Sequence, residues 1–242
     1  MSLAIAHLPS PNHGPRRGAA APDMAVLHHT AMERLEDALA RLRDPAAEVS
    51  AHYVIARDGR IFALVPEERR AWHAGVSFWA GERDVNSRSI GIELDHPGPL
   101  AGAPPYFAPQ MLALERLLAD IMARWGIVPS RVVGHSDVAP GRKSDPGPKF
   151  DWRRLALRGL ALWSDADGAG RRDDPEANRA AILRAAARLG YAPPADAAQE
   201  AALMRALQLR FAPHALGAPP GPLLAARLEE VAEQAQGPAP PA

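Results

Sequence analysis

Short apolar runs alternate with helical patterns along the first two thirds of this chain, and that alternation constrains the fold more than any other feature. Met24 to His29 (MAVLHH), His52 to Ala56 (HYVIA), Ile61 to Val65 (IFALV), Ser89 to Asp95 (SIGIELD) and Arg131 to Ser136 are bounded by Gly, Pro, Asp or Asn. Runs of that length and boundary read as strands. Asp58-Gly59 between the second and third predicts a hairpin. Met32 to Arg43 spaces Leu35, Leu39 and Leu42 as a helix would, and Pro109 to Trp125 puts Met111, Leu114, Leu118, Ile121 and Trp125 on one stripe. Strands and helices interleaved in this way predict an α/β fold, a mixed β-sheet flanked by helices.

A short helix is expected near Trp152 to Trp163. After it the composition changes: SDADGAGRRDDPEA is polar and charge-dense, the pattern of a linker over 164–175. Three Ala/Leu-rich helical patterns follow, Pro175 to Leu189, Ala197 to Phe211 and Pro222 to Ala235. The expected organisation is a first domain over 1–163, the linker, a small three-helix module over 176–236 and a flexible tail over 237–242.

The formal net charge is +0, from 28 Lys+Arg against 28 Asp+Glu, so no global field favours nucleic acid or an anionic membrane. With Cys 0, disulfides and thiolate zinc sites are excluded, and any transition-metal site must use His, Asp or Glu. The opening MSLAIAHLPSPNHGPRRG has no basic segment ahead of a long apolar stretch, and no run reaches the roughly 18 apolar residues of a membrane span. The expectation is a soluble protein without membrane insertion.

Polar side chains sit where ordinary core strands would not place them. His28 and His29 are adjacent on a strand, so only one of them can face a common site. Glu93 interrupts the apolar run IGIEL and needs a cation, a proton or hydrogen bonds if buried. His135 follows VVG, and a stiff Pro/Gly-dense loop then carries Lys143 and Asp145. Two imidazoles and one carboxylate leave a tetrahedral zinc ion an open position, the arrangement of hydrolytic zinc. Glu93 fits a general base and Lys143 a group that neutralises an oxyanion. Each has a plainer alternative: Glu93 paired with an arginine, Lys143 solvated, Asp145 starting the turn at Pro146.

The blocks VLHHTA, SAHYVIARDGRI, RAWHAGVSFWAGERDVNSRSIGIELDHPG and VVGHSDVAPGRKSDPGPKF, in that order over about residues 9–160, resemble the zinc-dependent N-acetylmuramoyl-L-alanine amidases of the type 2 family. The resemblance implies His28, His135 and Asp145 as ligands of one zinc ion, Glu93 as catalytic carboxylate and Lys143 as oxyanion-stabilising lysine. It implies hydrolysis of the amide joining N-acetylmuramic acid to L-alanine of the stem peptide. His29 stands where the family commonly has an aromatic residue. His52, Trp72, His73, Trp79 and Asn86 fall in blocks near the family's substrate groove, while His7, His13, His96 and His214 are expected at the surface. The C-terminal segment resembles, through ALQLRFAPHALG, a three-helix peptidoglycan-binding module, although Pro-rich sequence replaces the acidic and threonine positions after its glycine. The alternative for that segment is an appendage packed on the first domain. Peptidoglycan fragments or anhydro-muropeptides are the expected partners. The expected location is the cytoplasm, with 1,6-anhydro-muropeptides imported for recycling; the alternative is a periplasmic enzyme exported by a route not visible in the sequence. A non-catalytic peptidoglycan recognition module is the rival reading.

Overall fold

In the computed structural model, which describes residues 3–102 and 104–237, the chain runs β1 (Ile5–His7), β2 (His13–Pro15), β3 (Met24–His29), α1 (Leu35–Arg43), β4 (Tyr53–Ile55), β5 (Ile61–Ala63), β6 (Arg69–Ala71), α2 (Val85–Arg88) and β7 (Ser89–Leu94). It continues through α3 (Ala108–Trp125), β8 (Val132–Gly134), α4 (His135–Val138), α5 (Trp152–Ala156), α6 (Pro175–Leu189), α7 (Ala197–Phe211) and α8 (Pro222–Gln234). The tail expected over 237–242 lies, apart from Gly237, outside the described residues.

Six strands form one mixed sheet in the order β1-β5-β4-β7-β3-β8. β4, β7, β3 and β8 run parallel, and β5 returns antiparallel to β4 through the expected hairpin, with Val54 opposite Phe62. β1, β2 and β6 were not anticipated. Each is three residues long, and β2 with β6 makes a separate ribbon in which His13 pairs with Ala71 and Pro15 with Arg69. So short a ribbon, carrying Pro15, Arg69 and Arg70, leaves no apolar alternation to read.

Alternation of side chains splits the sheet into two differently covered faces. On one, Ala25, Leu27, Ile90, Ile92, Leu94 and Val132 pack against Met111, Leu114, Leu118 and Ile121 of α3 and Leu155 of α5. The other face is covered twice. Val54, Phe62 and Leu64 meet Leu42 of α1, and Met24, Val26 and Val133 share a core with α6, α7 and α8 through Ile182, Leu207 and Leu228. Register places Gly91 beside Val26 and Glu93 beside both His28 and Val54. Those positions lie between the two coverings, where the sheet opens into a cleft.

The C-terminal helices match their expected spans and carry clear stop and start signals. Asp174 accepts the N–H groups of Glu176 and Ala177, Pro175 occupies the first turn, and Gly190, with φ 117°, ends α6 in the left-handed region. Their Ala-rich faces sit on the sheet itself, and Ile182 and Leu228, with 0% exposure, each contribute roughly 1.5–3 kcal/mol by burial. Over 164–175, expected to be a linker, Ser164 is buried and bonds Glu230, while Arg171 bonds Asn178 and pairs with Glu229 of α8.

Two local expectations are corrected. The strand expected over 131–136 ends at Gly134, and His135 begins a helical turn, because the Asp137 carboxylate accepts the Gly134 N–H at 2.7 Å and starts a helix there. The helix expected over 152–163 stops at Ala156, after which Gly159, with φ 70°, turns the chain.

Candidate metal centre

Strand β3 delivers His28 to the floor of the cleft, α4 delivers His135, and the Pro/Gly loop brings back Asp145; all three are buried. His28 Nδ1 lies 2.9 Å from His135 Nδ1 and 3.1 Å from Asp145 Oδ2, and His135 Nδ1 lies 3.0 Å from the same oxygen. Strand parity is settled in favour of His28. In a tetrahedral site with bonds of about 2.0–2.1 Å, neighbouring ligand atoms stand roughly 3.3–3.4 Å apart. The triangle therefore needs to open by only a few tenths of an ångström to grip one ion. His135 Nε2 faces the Ala74 carbonyl at 3.1 Å, which can only accept, so this nitrogen carries the proton and Nδ1 offers its lone pair. Burial, with His135 adding to it, lowers the His28 pKa to about 4, so that imidazole is neutral at pH 7. Asp145 is held well below the usual carboxylate range: burial alone would raise it, but the close His135 and His28 imidazoles outweigh that. Two imidazole nitrogens and one carboxylate oxygen form an N/O donor set for a cation, and the group fits a metal site.

A cleft of about 360 Å³ opens above these atoms, lined among others by Trp72, Glu93, Arg142 and Lys143 and, from α1, by Arg41 and Leu42. Glu93 is partly buried as a residue, yet its Oε2 is shut off from solvent and has no hydrogen-bond partner among the described residues. Burial, reinforced by Asp145 and opposed by Lys143, pushes its carboxyl up to about 8; a bound cation would act in the other direction. Lys143 is exposed at the rim.

Of the residues expected near a substrate groove, Trp72 and His73 line the cleft. His52, Trp79 and Asn86 lie in the interior. His52 accepts the Gly91 N–H on Nδ1 at 2.9 Å and faces the Arg69 carbonyl with Nε2 at 3.0 Å. Trp79 packs edge-on against Tyr191 with ring centres 4.8 Å apart, joining the sheet side to the C-terminal helices. Asn86 Oδ1 accepts the N–H groups of both His73 and Ala74, at 3.0 and 2.8 Å. His96, expected at the surface, is buried and stacks on Tyr106 at 4.2 Å, its Nε2 bonding the Pro104 carbonyl. Its neighbours come from a loop with no apolar periodicity to announce it.

Gly91 has a local reason. A Cβ built there would meet the His73 ring at 2.5 Å, so β7 needs glycine to let that imidazole lie against the sheet. Gly91→Ala is expected to cost about 1–3 kcal/mol by overpacking, read as a lower urea midpoint for the metal-free protein at unchanged slope. An unchanged midpoint would mean that the ring relaxes freely.

The profile of the N-acetylmuramoyl-L-alanine amidase family (Amidase_2) matches residues 18–148. N-acetylmuramoyl-L-alanine amidase AmiD of Escherichia coli K12 is 42% identical over 183 residues, covering 69% of this chain and 65% of AmiD, a little under two thirds of that relative. The 1,6-anhydro-N-acetylmuramyl-L-alanine amidase AmpD of the same organism is 38% identical over 167 residues, covering 62% of this chain and 89% of AmpD. Among solved structures, AmiD in complex with the substrate anhydro-N-acetylmuramic acid-L-Ala-D-γ-Glu-L-Lys superposes with a TM-score of 0.78 at 36% identity, covering 90% of this chain and 92% of that one. Pseudomonas aeruginosa AmpDh3 in complex with anhydromuramic pentapeptide gives 0.78 at 37% identity, covering 88% and 92%.

Proposed function

Since the chain belongs to the N-acetylmuramoyl-L-alanine amidase family of hydrolases, we propose that it cleaves the amide between the lactyl group of 1,6-anhydro-N-acetylmuramic acid and L-alanine of a soluble stem peptide. The observation that carries this reading is the convergence of His28, His135 and Asp145 at the floor of a cleft that also holds Glu93. The complexes of AmiD and AmpDh3 with anhydromuramyl peptides support the choice of an anhydro-muropeptide.

His28 Nδ1, His135 Nδ1 and Asp145 Oδ2 would hold one zinc ion. When bound, zinc supplies Lewis acidity, polarising the scissile carbonyl and easing deprotonation of water. The chain supplies the rest. Glu93, whose Oε2 is free of protein partners, takes the proton from the attacking water and returns it to the nitrogen of L-alanine as the C–N bond breaks. The Lys143 ammonium at the rim offsets negative charge on the former carbonyl oxygen. Trp72 gives the cleft an apolar wall against which a sugar ring or peptide packs.

This reading carries a cytoplasmic recycling role, in which imported anhydro-muropeptides rather than intact wall are cut. The test is release of peptide with a free L-alanine amine from purified anhydro-muropeptide and from sacculi. Release is expected to be faster from the soluble fragment, lost with a chelator and restored by zinc. Stoichiometric zinc with no release from either material would overturn the reading in favour of a recognition module, and faster release from sacculi would overturn the recycling role.

A further inference from the structure

Behind the cleft floor, His28 Nε2 lies 3.0 Å from His73 Nδ1, and His73 Nε2 lies 3.2 Å from Ser89 Oγ. We propose that His73 and Ser89 are positioning residues, a proton-ordered relay that fixes His28 as its Nε2–H tautomer and so keeps its Nδ1 lone pair directed at the metal-binding triangle. The metal end of this proposal rests on the zinc reading above; the relay does not.

The direction follows from the far end, where the choice is forced. Ser89 Oγ stands 2.6 Å from the Val85 carbonyl oxygen. A carbonyl has no proton, and two oxygens approach so closely only with a hydrogen between them, so the single Ser89 proton goes there. Towards His73 the hydroxyl can then only accept, and His73 Nε2 must carry a hydrogen. In the neutral ring this leaves His73 Nδ1 as an acceptor, which obliges His28 Nε2 to donate. His28 Nδ1 is thereby left bare, facing His135 and Asp145. The opposite arrangement would put the His28 proton on Nδ1, in the middle of the triangle, and would have to be broken before an ion could enter.

The same short segment controls the second imidazole. His135 Nε2 is held by the carbonyl of Ala74, the residue after His73. Both residues hang by their N–H groups from one oxygen, Asn86 Oδ1, and Gly91 provides the space in which the His73 ring lies. One pinned dipeptide therefore orients both nitrogen ligands. Outer partners of this kind typically carry about 10–100-fold in metal affinity.

The test combines zinc affinity by chelator competition with nitrogen NMR of the histidine rings. In the zinc-free wild-type protein, ring protons are expected on Nε2 of both His73 and His28. His73→Phe, which keeps the ring volume but has neither acceptor nor donor, is expected to weaken zinc binding about 10–100-fold, and Ser89→Ala to weaken it less. His73→Gln, whose amide again offers one acceptor and one donor, is expected to bind zinc more tightly than His73→Phe. A proton on His73 Nδ1, or a folded His73→Phe protein binding zinc within twofold of wild type, would overturn the relay. Should a substitution prevent folding, the wild-type spectrum still decides. A wild-type protein that binds no zinc would sink the metal reading while leaving the tautomers to be read directly, so the two failures are distinguishable.

Discussion

Glu93→Gln is expected to lower turnover of anhydro-muropeptide by about 10²–10⁴-fold, the range associated with loss of a general acid–base group, while zinc content stays at the wild-type level. The substitution keeps the shape and one carbonyl oxygen but cannot take up a proton from water and return it to the leaving nitrogen. None of the atoms in the metal-binding triangle belongs to Glu93, so affinity for the ion should hold. Stability of the metal-free protein gives a second readout with a definite sign. A carboxyl raised to about 8 in the folded state, against an ordinary 4.5, holds a proton that the unfolded chain has already lost. Stability therefore falls as pH rises between those two values. Glutamine removes this dependence, so the metal-free variant should unfold at a midpoint equal to or above that of wild type at pH 7. Turnover within tenfold of wild type in a zinc-loaded variant would remove Glu93 from the chemistry.

The grouping of His28, His135 and Asp145 was legible because polar residues at strand ends and in a stiff Pro/Gly loop stood within ordered blocks that resemble the amidase family; position alone left each of them a plainer reading. Glu93 was legible for the same reason, as a charge inside IGIEL. The relay was not. His73 reads as a residue of a block near the family's substrate groove rather than as a partner of His28, and Ser89 as the first residue of a strand. Their meaning comes from β7 running beside β3, which brings residues 28, 73 and 89 into line. Gly91 was the available signal, since a glycine inside an apolar strand marks a close approach of something else. The helical turn at His135 was hidden too, because its cap is Asp137, a residue whose carboxylate gains its other partners only from the distant C-terminal part of the chain, Tyr191 after α6 and Arg210 of α7.

The C-terminal helices bear on the position of His135. Composition separates them from the sheet, but Ala181, Ala185, Ala186 and Ala225 are small enough to let α6 and α8 close into one core with Met24, Val26 and Val133. At the centre of that contact Arg210 of α7, 5% exposed, donates to Asp137 Oδ2 at 2.9 Å and to the Val132 carbonyl at 3.2 Å. Its guanidinium lies 3.7 Å from the centre of the Trp152 ring. Asp137, 1% exposed, also accepts from Gly134 N–H and from the Tyr191 hydroxyl at 2.6 Å. Removing one partner of a buried pair leaves the other charge without compensation, at a cost of about 3–5 kcal/mol.

Arg210→Met is therefore expected to destabilise the whole protein by about that amount, measured by urea unfolding without metal. Asp137 is two residues from His135 and caps the turn that carries it, so zinc affinity should fall as well. Replacing both members, Arg210→Met with Asp137→Asn, removes the stranded charge and should recover part of the loss, the non-additivity expected of residues in direct contact. The size of the single effect decides between two architectures. A cost of several kcal/mol in one cooperative transition means that the helices and the sheet fold together, with α7 supporting the turn that carries His135. A cost below about 1 kcal/mol, or a separate early transition confined to the helices, would mean that they are an appendage docked on an already complete site.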